Sequence, residues 1–293
     1  MRLVAPTDAL SRAFGEERTV EMLAKNGFDA LDWSFFSMLQ DDNVWNQPDW
    51  EEYALKMKAT AEAAGIGFSQ AHAPFPSSKG EEPFDTVIVE RILRSIKAAA
   101  MMGVKNIVVH PRQQVPYLQN KQQLFEENVA FYKSLIPYCE KFNIRVCAEN
   151  MWQYDEKRSM IISSVCAEPE EFCALIDAVG SPWIVACLDV GHAALVGHDP
   201  AYMIRMLGKD RLKALHIHDV DYHHDCHALP FTQKLDWESI MAALAEIDFD
   251  GDLTFEAGAF LRKFPAELRY EASAFMEKTG RYLIRRFEEN KKK

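Results

Sequence analysis

The sequence predicts a (β/α)8 TIM barrel, a single domain over residues 1–293, and three observations predict it. Eight short apolar runs recur at an average spacing of about 35 residues, the length of one strand, one helix and two loops. Longer amphipathic stretches separate them. Four of the runs end on an acid or a histidine, and the C-terminal ends of barrel strands are where such a fold keeps its chemistry.

In chain order the expected strands are Arg2 to Ala5, Ala30 to Ser34, Gly67 to His72, Asn106 to His110, Arg145 to Glu149, Ile184 to Asp189, Ala214 to His218 and Asp252 to Glu256. Each reads as a buried parallel strand. Helices fill the gaps. Asp49 to Ala64 keeps Tyr53, Met57 and Ala61 at helical spacing and stops at Gly65, a residue that ends helices well. Pro83 to Met102 stops in the same way at Gly103. Leu124 to Phe142 is long, with Pro137 near its end, and Asp236 to Ile247 opens on an acidic cap candidate. Pro265 to Glu289 is amphipathic and closes the barrel.

Composition bounds the function classes. At 293 residues, 48% hydrophobic and 26% charged, the chain has the make-up of an ordinary globular protein, and barrels of about 250 residues are routinely one domain. No basic segment followed by a long apolar stretch opens it, and no window approaches a membrane span, so the expectation is a cytoplasmic protein with no membrane partner. The six cysteines form no CxxC pair and are expected to be reduced thiols, Cys147 and Cys187 inside core strands. A net charge of −11 argues against nucleic acid as a partner. Oligomeric state is left open, with a homo-oligomer compatible.

The four polar strand ends are Glu149 closing RVCAE, Asp189 closing IVACLD, His218 closing ALHIH and Glu256 closing DLTFE. A single acid in such a place is as readily a helix cap or half of an ion pair. Four in one register point to one cluster. Three carboxylates and a neutral imidazole form an oxygen-rich site for a divalent cation, with Mn2+ the first expectation and Co2+, Mg2+ or Zn2+ alternatives. Because strand side chains alternate, His216 and His218 face the same way, as do Asp225 and His227 if their loop is extended. Between Asp189 and His192, Gly191 permits a sharp turn that brings the imidazole back beside the carboxylate.

The ordered motifs AHAP around His72, VVHP around His110, CAEN around Glu149, CLDVGH from Cys187 to His192, HIHD from His216 to Asp219, DCHALP from Asp225 to Pro230 and FEA around Glu256 resemble the xylose isomerase-like TIM barrel superfamily over about residues 1 to 285. That superfamily includes sugar phosphate isomerases and epimerases, ketose 3-epimerases, inosose dehydratases and metal-dependent apurinic endonucleases. The resemblance implies that Glu149, Asp189, His218 and Glu256 ligate one ion. It also implies that Glu149 and Glu256 act as the acid and base on opposite faces of the substrate, while the metal stabilises an enediolate. His192, Asp225 and His227 are implied as a second metal group. His72, His110 and His216 are implied as additional metal or substrate residues, matching histidines of the apurinic endonucleases.

Departures from each branch guide the choice. After His110 the chain reads PRQQVPY where the endonucleases carry a glycine-serine-histidine run, and ALPFTQKLDW after His227 lacks their glycine-rich continuation. Trp33, Phe35 and Phe36 are the nearest approach to a duplex wedge. Met151 stands where xylose isomerase has the lysine of its hydride shift, and DVDYHHD carries no arginine of the ketose 3-epimerase kind. The expectation is therefore a metal-dependent sugar or sugar-phosphate isomerase or epimerase. A zinc phosphodiesterase acting on abasic DNA is the rival, and a dehydratase or lyase on a keto-sugar or inosose the third reading.

Other residues receive narrower expectations. Trp33, Phe75 and Trp152 are candidates to stack on a sugar face, with His192 beside them as a substrate contact. Arg112 and Lys234 are candidate phosphate contacts. His223 and His224 read as a solvated loop, and His198 as a residue at the start of a helix.

Overall fold

A computed structural model describes residues 1–292; Lys293 lies outside the described residues. The eight barrel strands are β1 (Leu3–Pro6), β2 (Ala30–Ser34), β3 (Phe68–His72), β4 (Asn106–Val108), β5 (Arg145–Glu149), β8 (Ile184–Asp189), β9 (Leu212–His216) and β10 (Leu253–Thr254). Between β5 and β8 the chain makes an antiparallel hairpin of β6 (Trp152–Asp155) and β7 (Met160–Ser163). The barrel strands are all parallel, in the order β10-β1-β2-β3-β4-β5-β8-β9. Helices connect them, as parallel pairing requires.

The ring closes thinly. Between β9 and β10 the contact is one bridge, Ile217 to Phe255. There the Ile217 amide donates to the Thr254 carbonyl at 2.9 Å and the Glu256 amide to the Ile217 carbonyl at 3.0 Å.

The core has two layers. Val108, Cys147, Val185, Cys187 and Ala214 fill the barrel interior, and a larger apolar shell lies between strands and helices. All six cysteines are free, Cys147 and Cys187 buried in β5 and β8. No described helix is long and apolar enough to cross a membrane.

Several expected boundaries move. β9 ends at His216 instead of His218, and β10 holds two residues, because the chains leave regular pairing at the mouth and keep a single bridge. The helix expected from Leu124 begins at Tyr117 and is broken at Asn120. The expected caps act: Asp236 accepts from the Ser239 amide at 3.1 Å, and Gly103 takes a left-handed φ of 91° after Met102. His198 stands just before the helix Pro200–Arg211, which Asp199 caps.

Candidate active site

The C-terminal mouth of the barrel gathers histidines and carboxylates from seven of its eight strand ends or the loops that follow them. Glu149 ends β5, Asp189 ends β8 and His216 ends β9, while Glu256 follows β10. Asp189 and His216 are in-register neighbours across β8 and β9. His216 Nδ1 lies 3.0 Å from Glu149 Oε1, 3.1 Å from Glu256 Oε2 and 3.8 Å from Asp189 Oδ2. One ligand atom from each of these four residues falls within 4.8 Å of the others, the spacing of a metal-holding group.

The expected histidine and the observed one differ here. The sequence expectation put His218 with the three carboxylates; the structure places His216 there. Both face the mouth, but the register brings His216 level with Asp189 and carries His218 further out. His218 Nε2 is 3.0 Å from both Asp189 oxygens and stacks on His227 at 4.3 Å. With His192, Asp225 and His227 it forms a second compact group. His192 Nε2 and His227 Nε2 approach Asp225 Oδ2 at 3.5 and 3.1 Å.

Ring orientation in this second group is fixed from behind. His227 Nδ1 donates to the Glu256 carbonyl at 2.8 Å and His192 Nδ1 to the Asn150 carbonyl at 3.0 Å, leaving each Nε2 facing Asp225. Gly191 serves a purpose other than the expected turn. It lies in the helix Val190–Leu195, capped by Asp189, and a Cβ there would stand 2.2 Å from His218 Cε1. The glycine makes room for the ring.

His110 and His72 complete the cluster. His110 Nε2 is 3.1 Å from Glu149 Oε2. His72 stacks on His216 at 4.6 Å, and its Nδ1 meets Asp32 at 3.1 Å. Asp32 was not singled out in the sequence, where it is one acid inside the run ALDWS. Alternation was the available signal: Asp32 faces the mouth, so Trp33 faces the helices. Trp33 packs there against Phe68 and Trp45 and, unlike the expected contacts Trp152 and His192, is not among the residues lining the cavity. Trp152 and His192 do line the cavity, of about 650 Å3. Asn150 is the other residue missed. Its amide group donates to the Asp189 carbonyl at 2.9 Å and accepts from the Asp189 amide at 2.8 Å, tying β5 to β8 where two of the acids emerge.

Arg112 and Lys234 are absent from the cavity wall. Arg112 lies over the Phe131 ring, held by that packing and by its backbone bonds to Asn128. His224 is exposed and pairs with Asp221, as a solvated loop would have it.

The electrostatics suit a cation. Burial pushes the Glu149 carboxyl up, but the His216 and His110 imidazoles outweigh it and hold the group well below the usual carboxylate range. Asp225 is likewise held down, against burial, by hydrogen bonds from His192 and His227. Oδ1 of Asp225 is buried without a hydrogen-bond partner, and the buried Oε2 atoms of Glu149 and Glu256 face only the His110 and His216 imidazoles, each at 3.1 Å. Such atoms are costly unless something positive meets them. Three carboxylates with one imidazole suit Mn2+, Mg2+, Co2+ or Zn2+, and the histidine-rich second group suits Zn2+. The residues present therefore fit a divalent metal.

Fold and site together define a (β/α)8 barrel with a metal-type carboxylate and histidine centre at its catalytic face. The chain matches the family described as xylose isomerase-like TIM barrel over residues 20–278, and it belongs to that family. Among curated relatives, an uncharacterized protein of Sinorhizobium fredii is 27% identical over 171 residues, 57% of this chain and 52% of that protein, so the match spans about half of that relative. An uncharacterized protein of Methanocaldococcus jannaschii is 22% identical over 246 residues, 81% of this chain and 78% of that one. Solved structures share the fold. A D-tagatose 3-epimerase-like protein has a TM-score of 0.75 at 18% identity, covering 99% of both chains. D-psicose 3-epimerase from Clostridium cellulolyticum, solved with D-tagatose, has a TM-score of 0.72 at 16% identity over 97% of this chain and 99% of that one. The IOLI protein, solved with a zinc atom, has a TM-score of 0.74 at 15% identity over 98% and 99%.

Proposed function

We propose that this chain is a divalent-metal-dependent isomerase or epimerase acting on a sugar, sugar phosphate or related polyol by proton transfer. The observation that carries the reading is the pair Glu149 and Glu256, which reach the same His216 Nδ1 from β5 and from beyond β10 at 3.0 and 3.1 Å. The names of two similar folds, a 3-epimerase-like protein and a 3-epimerase, favour the same chemistry.

In this proposal one glutamate removes the proton from the carbon beside the substrate carbonyl, and the other, entering as the carboxylic acid, delivers a proton to the opposite face. No net oxidation occurs. Both need to face a substrate in the cavity: Glu256 has its side chain 22% exposed, and Glu149 lines the same wall from a buried position. Glu149, Asp189, His216 and Glu256 would hold the ion, with His218 beside Asp189. When bound, the cation supplies Lewis-acid stabilisation of the negative charge that develops on adjacent oxygens. His192 and Trp152 line the wall where a sugar would be oriented, and the indole donates to Asp225 at 3.3 Å.

A second reading rests on two observations. His110 stands 3.1 Å from Glu149, and the group of His192, His218, Asp225 and His227 is compact enough for another ion, an arrangement that would suit zinc phosphodiester hydrolysis.

Elemental mass spectrometry on tag-free protein separates the two. About one exchangeable Mn, Co or Mg per chain, lowered in Glu256→Gln, is expected from the isomerase reading; two or three tight zincs with incision of abasic DNA would replace it. Glu256→Gln should keep the fold and lower turnover by about 10²–10⁴-fold, the usual contribution of a positioned proton-transfer group. Solvent deuterium should enter the ketose beside its carbonyl during turnover.

A further inference from the structure

The cavity wall is acidic and histidine-rich, and among its described residues the only permanent cations are Arg12 and Arg262. They come from opposite ends of the chain and line the same cavity. Arg262 lies beyond β10 and donates to Asp8 Oδ2 at 3.2 Å; Asp8 opens the short helix Asp8–Phe14 that follows β1. Arg12 is one turn further along that helix, on the same face as Asp8.

Asp8 is spent on Arg262. Arg12 is left with no hydrogen bond or ion pair among the described residues. Arg262 uses one of its five N–H donors on Asp8, which leaves the rest of the fork open. Gly258 keeps the place accessible: a Cβ there would sit 3.2 Å from both Arg262 Nη1 and Asp8 Oδ1. The count at this rim is two guanidinium groups against one carboxylate, in a chain whose net charge is −11. Guanidinium forks match the paired oxygens of phosphate and carboxylate. Loops after the last barrel strands are also a frequent place for a phosphate.

We propose that Arg12 and Arg262 form an anion subsite at the rim, and that the substrate is a sugar bearing a phosphate or carboxylate. The sugar part rests on the carbohydrate reading above; the anion part rests on the two arginines alone. A cavity of about 650 Å3 has room for such a molecule, since sites of about 300–1,000 Å3 enclose ligands of drug size.

The test is equilibrium binding by calorimetry to the metal-loaded protein, with D-fructose, D-fructose 6-phosphate and D-glucuronate as probes. One anionic sugar should bind roughly tenfold or more tightly than D-fructose, the scale of charge-assisted hydrogen bonds. Arg12→Met with Arg262→Met should erase that preference without weakening D-fructose, and Arg12→Lys with Arg262→Lys should restore part of it. Which probe gains tells phosphate from carboxylate. A preference that survives the double Met variant, or equal binding of all three probes by the wild type, overturns the subsite. If no sugar binds, the carbohydrate reading falls and inorganic phosphate decides the rest. Phosphate bound by the wild type and lost in the double Met variant upholds the anion site; phosphate ignored by both, or bound equally, overturns it.

Discussion

At the scale of single residues, the site is a set of imidazoles whose proton positions are set from behind. Asp32 holds His72 Nδ1 and leaves its Nε2 buried without a partner, facing the cavity. Asp32→Asn should therefore lower metal affinity about 10–100-fold by loosening the ring, measured by competition with a chelating dye, with the far-ultraviolet circular dichroism unchanged. In the metal-free protein, burial lowers the His227 pKa but Glu256 and Asp225 outweigh it and raise it from 6.5 to about 10. A histidine raised on folding gives stability that is complete below pH 6.5 and lost as pH rises through about 10. Melts of chelated protein should accordingly fall in Tm across that window. Metal-loaded protein should show a flatter profile, because the ion takes the proton's place. The acids at 149, 189 and 256 were legible in the sequence because each closes an apolar run. Which of His216 and His218 lies among the three acids was not legible, because a period of two puts both on one face and only strand register separates them. Asp32 was hidden for a related reason, with Trp33 beside it the more conspicuous side chain.

At the scale of elements, the loop after β9 is organised by one buried carboxylate. Asp219 accepts from the amides of Val220, Gln233 and Leu235 at 3.0 Å each and from Trp237 Nε1 at 3.2 Å. Those bonds gather the two ends of the stretch that carries Asp225 and His227. Asp219→Ala should cost about 3 kcal/mol in urea unfolding, since it orphans several buried donors. It should also weaken a second bound ion more than a first, read by stoichiometric metal titration. The hairpin of β6 and β7 shows where pattern reading stops. Its residues are mixed and partly exposed, with no alternation to mark them as strands. It is anchored instead by Gln153, whose side-chain oxygen accepts from the Tyr117 amide while its nitrogen donates to the Gln113 and Val115 carbonyls. Such a long-range tie leaves no periodic trace. All eight barrel strands, by contrast, were legible as elements because burial on both faces leaves mostly apolar runs, though the ends of β4, β9 and β10 fall short of the expected ones.

At the scale of the whole molecule, the ring is uneven. Every neighbouring pair of barrel strands shares a ladder except β9 and β10, which share one bridge. His216 and Glu256 stand on either side of that gap, 3.1 Å apart. A divalent ion held between them would span the one joint that the backbone leaves nearly open. Hydrogen exchange should report this directly: on chelation, the amides of Ile217 and Glu256 should lose protection more than those within β5 and β8, and equal loss in both places would count against it. The consequence reaches beyond binding. If an ion is held there, the contact that serves turnover also draws the last seam together, so a cell starved of that metal would keep the folded barrel with its mouth loosened.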